Sequence, residues 1–250
     1  MYFNDVHIIY YVAISIIGAI AGKIVNWANY RRTDTKKIIS LDFFRKQKQY
    51  KENYFVILAN IIIYILILNK FGIQETFIAN LELIKFLLLT PMLLTVSVID
   101  YKLQIIPNRL TLTIFEVGLI TAFLYGISNI AITLNMLLGM VAGVIIFLTI
   151  TLVSKFILGK DSIGLGDVKL IGAIGLFFGL TNIMVISIIS FLIAAIVSII
   201  LLITKRKKIK EHLSFGPFIV LASFISMLVP FETIIGILVK VFSLGLYKNK

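Results

Sequence analysis

Along this chain, long stretches of apolar residues alternate with short polar or charged segments, and the apolar stretches are the wrong length for a water-soluble core. A single crossing of a bilayer's hydrocarbon layer takes about 20 apolar residues in an α-helix. Eight runs of roughly that kind can be read off in order, near 8–28, 54–68, 83–99, 110–125, 132–158, 168–180, 182–203 and 215–229. A ninth candidate covers 233–246. The first run is longer than a secretory leader and lacks its small-residue cleavage pattern, so it is kept as a helix of the mature chain. The pattern therefore predicts an all-α, polytopic bundle of eight or nine membrane helices. It divides into a first helix (1–30), a basic loop (31–53) and a helical core (54–250).

Charge fixes the expected orientation, because loops facing the cytoplasm collect Lys and Arg. Arg31, Arg32, Lys36, Lys37, Arg45, Lys46, Lys48 and Lys51 fall between the first two runs. Lys102 and Arg109 follow the third run, Lys155, Lys160 and Lys169 surround the junction of the fifth and sixth, and Lys205, Arg206, Lys207, Lys208 and Lys210 follow the seventh. If every run spans, these 18 of the 24 basic residues share one side, while the opposite loops hold little beyond Lys70. The N-terminus is thus expected outside, in a multi-pass protein of the cytoplasmic membrane.

Composition narrows the chemistry. The chain of 250 residues is 60% hydrophobic and 14% charged, against about 45–50% and about 25% in soluble domains. The net charge of +12 follows from the topology. No soluble basic face is present to make a nucleic-acid site. With no cysteine and only His7 and His212, thiol catalysis, disulfides and the usual zinc ligand sets are excluded. Hydrolysis, if it occurs, must rest on carboxylates, hydroxyls or lysine.

Ionisable groups at the ends or in the interior of membrane helices are functional candidates. Asp100 closes the third run, and Asp167 opens the sixth within Gly164-Leu165-Gly166-Asp167-Val168-Lys169. Two crossings separate them, so both are expected at the cytoplasmic boundary. The plainer reading of each is an interfacial cap or the partner of a lysine. Gly164 and Gly166 permit a sharp turn and close approach before Asp167. Gly172, Gly175 and Gly179 then follow at helical spacing, as in a buried helix packed backbone to backbone. Gly18 with Gly22 and Gly139 with Gly143 read as ordinary packing pairs elsewhere. Pro107 and Asn108 mark a turn and a helix start, with Asn108 in the capping role. Lys102 and Lys169 are expected to extend toward the headgroups. Lys85 and Lys23 are expected at an interface or facing a cavity. Glu116, about two turns into the fourth run, has no partner in the pattern. Pro217 suits the first turn of a helix, which gives Phe215, Gly216 and Pro217 a structural role.

Asp100 with Ile106-Pro107-Asn108, then Gly164-Leu165-Gly166-Asp167-Val168-Lys169, then Phe215-Gly216-Pro217-Phe218, resemble the core motifs of type IV prepilin peptidases, membrane aspartic proteases of the GxGD class. The stretch from Gly18 to Arg31, with Gly22, Asn26, Tyr30 and Arg31, is similar to that family's first-helix segment. The resemblance implies cleavage of the short basic leader of a prepilin or pseudopilin after a glycine, at the cytoplasmic face, in type IV pilus or type II secretion systems. It implies that Asp100 and Asp167 are the catalytic pair, with Gly164, Gly166, Lys169, Pro107, Asn108, Lys102, Phe215, Gly216 and Pro217 in support. Bacterial members commonly carry a four-cysteine zinc insert after the first helix; here residues 31–53 lack cysteine, so no metal is expected. The peptidase step calls for no cofactor, and S-adenosylmethionine enters only if the family's N-methylation is retained.

The chemistry fits two carboxylates sharing one proton. The ionised one accepts a proton from water, and the neutral one polarises the scissile carbonyl. A helix start favours an anion and a helix end disfavours it, which casts Asp167 as the ionised member. Two alternatives stand beside this reading. Presenilin-like and signal-peptide-peptidase-like GxGD proteases pair a Tyr-Asp motif with a late Pro-Ala-Leu, whereas this chain has Asp100-Tyr101 and no Pro-Ala-Leu. An ion-coupled transporter would use the two aspartates as ion sites, but such proteins show internal repeats and acids near the midplane, and neither is visible here.

Overall fold

The computed structural model describes residues 2–3, 6–31, 53–158, 164–204 and 214–242. Most of the basic segment 31–53, Lys160, the run 205–210 and the end of the ninth candidate helix lie outside them. The described residues are almost entirely helical, with one two-stranded antiparallel pair, β1 (Tyr2–Phe3) and β2 (Val6–His7), before the first helix. The all-α, polytopic architecture expected from the pattern is what the structure has. The chain falls into two compact units, residues 1–117 and 118–250.

In the first unit, α1 (Ile8–Arg31), α2 (Tyr54–Phe71) and α3 (Phe77–Leu103) pack on one another, and α4 (Asn108–Ser128) begins. Gly18 and Gly22 let α1 lie directly on α2. A Cβ at Gly22 would stand 2.8 Å from the Ile57 Cα, and one at Gly18 would stand 3.2 Å from the Ile61 Cα. The same close approach lets the buried Asn60 side chain donate to the Gly18 carbonyl at 2.7 Å. The pair is the packing face that the sequence pattern predicts.

Helix α3 contains Pro91. A proline has no N–H for the carbonyl four residues earlier, here that of Leu87. The Tyr64 hydroxyl of α2 donates to this Leu87 carbonyl at 2.7 Å, so the helix crosses its proline with that acceptor satisfied. One face of α3 is buried along its whole length, through Leu81, Lys85, Leu89, Leu93, Val96 and Asp100. The spacing is helical, and Asp100 is the last residue of the stripe.

In the second unit, α4 turns tightly into α5 (Ile130–Leu158). Asn129 makes the corner: its side-chain oxygen accepts the Ala131 amide at 3.0 Å, while its own amide bonds the Tyr125 carbonyl at 2.8 Å. α6 (Leu165–Ile203) is 39 residues long, which as a straight rod would measure about 58 Å. It is not straight. Gly179 has φ 73° and ψ 179°, a conformation that is easy only for glycine. A Cβ at Gly143 of α5 would meet the Ile171 carbonyl oxygen at 3.0 Å and the Ile183 Cγ1 at 3.2 Å. In an unbroken helix those two residues would be about 18 Å apart, so the chain doubles back at Gly179. The separate sixth and seventh runs of the sequence pattern are the two limbs, 165–178 and 180–203.

Among the described residues, six helices are long and apolar enough to cross a membrane, or seven if a bent pair is taken as one span. The pattern's eight or nine differ for two reasons. The sixth and seventh runs are the two limbs of α6, which enters this count as one helix despite the break at Gly179. The eighth and ninth correspond to α7 (Gly216–Leu228) and α8 (Phe231–Phe242), which meet at a 119° bend. At 13 and 12 residues, these measure about 20 and 18 Å, each short of a hydrocarbon layer of about 30 Å.

Candidate active site

Asp100 sits one turn before the end of α3 and is only 4% exposed. Its position follows from the helix periodicity. Leu93, Val96 and Asp100 share the buried face, while Tyr101, Lys102 and Leu103 are exposed. The helix stops at Gln104, the one described non-glycine residue with positive φ, at 54°. Its amide bonds the Asp100 carbonyl at 2.8 Å, closing the last turn in the left-handed manner usually left to glycine. Four residues later α4 begins. The Pro107 carbonyl accepts the Thr111 amide at 3.1 Å and the Thr111 hydroxyl at 3.2 Å. Pro107, which is buried, is therefore the capping position, and Asn108 is the first helical residue, so the helix starts one place earlier than an Asn108 cap would set it. The link from Asp100 to α4 is short and pinned at both ends.

Asp167 is 8% exposed and belongs to the second unit. It is the third residue of α6, and Gly164 is the N-cap. The Asp167 amide bonds the Gly164 carbonyl at 3.0 Å. In return, the Asp167 Oδ2 accepts the Gly164 amide at 3.2 Å. Such a reciprocal pair satisfies donors that a helix start otherwise leaves without partners. Gly164 has extended backbone, φ −72° and ψ 147°, so no left-handed conformation calls for glycine there. Space does: a Cβ would lie 3.3 Å from the Asp167 Oδ2. Lys169, two residues on, is exposed. Lys102 and Lys169 are thus exposed, unlike the aspartates two residues before them.

The limb that carries Asp167 is buried on nearly all sides. From Leu170 to Gly179 every residue is buried, and the small residues explain how. A Cβ at Gly175 would collide with the Gly139 backbone, including the Met140 amide nitrogen at 2.7 Å, and one at Gly172 would reach the Val144 Cγ2 at 2.5 Å. Gly139 and Gly143 of α5 are therefore the counterpart of the glycines of α6 and form the same interface, not a packing pair elsewhere. At the reversal, the Asn135 side-chain oxygen of α5 accepts the Leu180 amide at 3.2 Å, and the Asn182 amide donates to the Phe178 carbonyl at 3.1 Å. These two asparagines satisfy backbone groups that lipid could not.

Phe215 caps α7, with its carbonyl accepting the Phe218 amide at 3.0 Å. Its ring lies 5.0 Å from that of Phe191 and 5.7 Å from that of Phe147, so it ties the start of α7 to α5 and to the second limb of α6. Gly216 and Pro217 fill the first helical turn. Glu116 is exposed on α4, on a stripe with Leu112 and Ile120. Lys85, expected at an interface or facing a cavity, is buried in the protein. It is 7% exposed, pairs with Glu82 at 3.5 Å and lies 4.7 Å over the Phe86 ring. A Glu three residues before a Lys is the signal that could have found that pair. Among the described residues no three His, Asp or Glu converge as metal ligands.

A polytopic helical membrane protein with a buried aspartate at the end of one helix and another in the first turn of a glycine-packed helix defines the class. Residues 87–199, a segment that contains both aspartates, match the model of the type IV leader peptidase family. A prepilin leader peptidase/N-methyltransferase of Aeromonas hydrophila is 28% identical over 142 residues, 57% of this chain and 48% of the relative. One of Xanthomonas campestris is 31% identical over 141 residues, 56% and 47% of the two chains. One of Pseudomonas aeruginosa is 32% identical over 142 residues, 57% and 48%. The chain spans about half the length of the curated relatives it matches. No solved structure matches it.

Proposed function

We propose that this protein is a membrane-embedded aspartic endopeptidase that removes the short basic leader of prepilin-like or pseudopilin-like proteins, after a glycine, at the cytoplasmic face of the inner membrane. The observation that carries the reading is the pair of acids: Asp100 and Asp167, at 4% and 8% exposure, both fall inside the segment that matches the leader peptidase family. Burying a carboxylate in a membrane protein is costly, which makes one that is kept there a functional candidate. Two helices of spanning length, α4 and α5, lie between them in the chain, an even number, and the basic loops favour an outside N-terminus.

In this mechanism Asp100 and Asp167 share one proton. The ionised carboxylate takes a proton from water as its oxygen attacks the scissile carbonyl, and the protonated one donates a hydrogen bond to that carbonyl as charge develops. Collapse of the tetrahedral intermediate returns a proton to the leaving amine and releases the leader. The apolar segment of the substrate enters among the helices and supplies most of the binding, because a basic leader is repelled by the enzyme's own basic loops. The relatives' names also include N-methyltransferase; S-adenosylmethionine would be needed for that reaction alone.

The test is to incubate the purified protein in detergent with a prepilin-like substrate and map the products by mass spectrometry. Cleavage C-terminal to the leader glycine, unaffected by strong chelators and without added S-adenosylmethionine, is expected. No cleavage of any leader-bearing substrate, or inactivation by chelators that zinc reverses, contradicts the reading.

A further inference from the structure

Gly164 does two things to Asp167 that its position in a motif does not explain. Its amide donates to the Asp167 Oδ2 at 3.2 Å, and its missing side chain leaves that oxygen room, since a Cβ would stand 3.3 Å away. The carboxylate can therefore hold one orientation over the start of α6. We propose that Gly164 is a positioning residue for the reaction, acting through its main-chain N–H. That donor anchors one oxygen of Asp167 and so fixes the direction in which the other is presented to water. The inference rests on the peptidase reading for its catalytic consequence but not for the hydrogen bond itself.

The backbone geometry supplies a way to separate the donor from the space. At φ −72°, position 164 suits proline, whose ring holds φ near −65° and which has no N–H. An N-cap residue's N–H makes no bond within its helix ladder, so proline removes the donor to Asp167 and spares the rest of α6. Alanine adds the same Cβ but keeps the N–H. Proline also restricts the residue before it and the unfolded chain, so the donor's share is the part of the Pro–Ala difference that disappears when Asp167 is replaced.

Two readouts test this. In cleavage, Gly164→Ala is expected to lose some activity through crowding, and Gly164→Pro to fall about ten-fold or more below it in kcat with KM unchanged, as removal of a hydrogen bond to a charged group implies. In thermal unfolding, Gly164→Pro is expected to lower Tm relative to Gly164→Ala when residue 167 is Asp, and the gap should close in an Asp167→Ala background. Equal kcat for the Pro and Ala variants would overturn the positioning role. A Tm gap that persists without the carboxylate would overturn the hydrogen bond. If the wild type cleaves no leader peptide, the peptidase reading fails, and the unfolding comparison still decides whether the amide holds Asp167.

Discussion

Tyr64, Leu87 and Pro91 make a quantitative prediction about what keeps α3, and with it Asp100, in shape. Pro91 deprives the Leu87 carbonyl of its helical donor, and the Tyr64 hydroxyl takes that donor's place at 2.7 Å. Tyr64 is 3% exposed, so water has no easy access when the hydroxyl is removed. Tyr64→Phe leaves the ring packing intact and a buried acceptor unmet, at a cost of about 1–3 kcal/mol by the usual desolvation penalty. Measured couplings between membrane helices run lower, averaging about 0.6 and reaching about 1.7 kcal/mol, so a value of about 1–2 kcal/mol is expected. Pro91→Ala restores an N–H to the Leu87 carbonyl. In that background Tyr64→Phe should cost distinctly less, because the acceptor is already satisfied. Reversible unfolding of the four proteins in detergent gives the coupling directly. A Tyr64→Phe cost that is the same with proline and with alanine at 91 would refute the claim that the hydroxyl substitutes for the missing amide.

Gly175→Val should destabilise the protein by about 1–3 kcal/mol or more, read as a fall in Tm, because its side chain would have to enter the Gly139 backbone; Gly236→Val, where a Cβ meets nothing within 4 Å, should leave Tm unchanged. The chain has no cysteine, so single cysteines report topology without background: Lys102→Cys should react with a membrane-impermeant thiol reagent from the cytoplasmic side and Glu75→Cys from the outside, and the reverse pattern would invert the orientation.

Much of this architecture is legible in the sequence because a bilayer imposes one simple demand, apolar helices of a set length, and charge bias records the rest. The buried character of the Asp167 limb follows from Gly172, Gly175 and Gly179 alone. Their partners do not: Gly139 and Gly143 look like any other pair of small residues, and only three-dimensional contact shows that both sets form one interface. Gly179 is read by the pattern as a gap between two runs, but that it reverses the chain inside a single helical element depends on a backbone angle and on Asn135, 44 residues earlier. The burial of Lys85 is not legible in the sequence, because a lone lysine near a helix end is usually drawn toward headgroups, whereas here Glu82 and the Phe86 ring hold it. Asp100 and Asp167 were legible for the opposite reason. A carboxylate beside apolar runs is rare enough to stand out, and its neighbours at helical spacing say which face it shares.

The central claim is that Asp100 and Asp167 act as one water-activating unit. The most direct measurement is the rate of leader cleavage by the wild type, Asp100→Asn, Asp167→Asn and the double variant, each shown by unfolding to be inserted and folded. Both single variants are expected to lose cleavage, and the double variant to be no worse than either, because groups that act as a unit are not additive. Near-normal cleavage by either single variant would contradict the account.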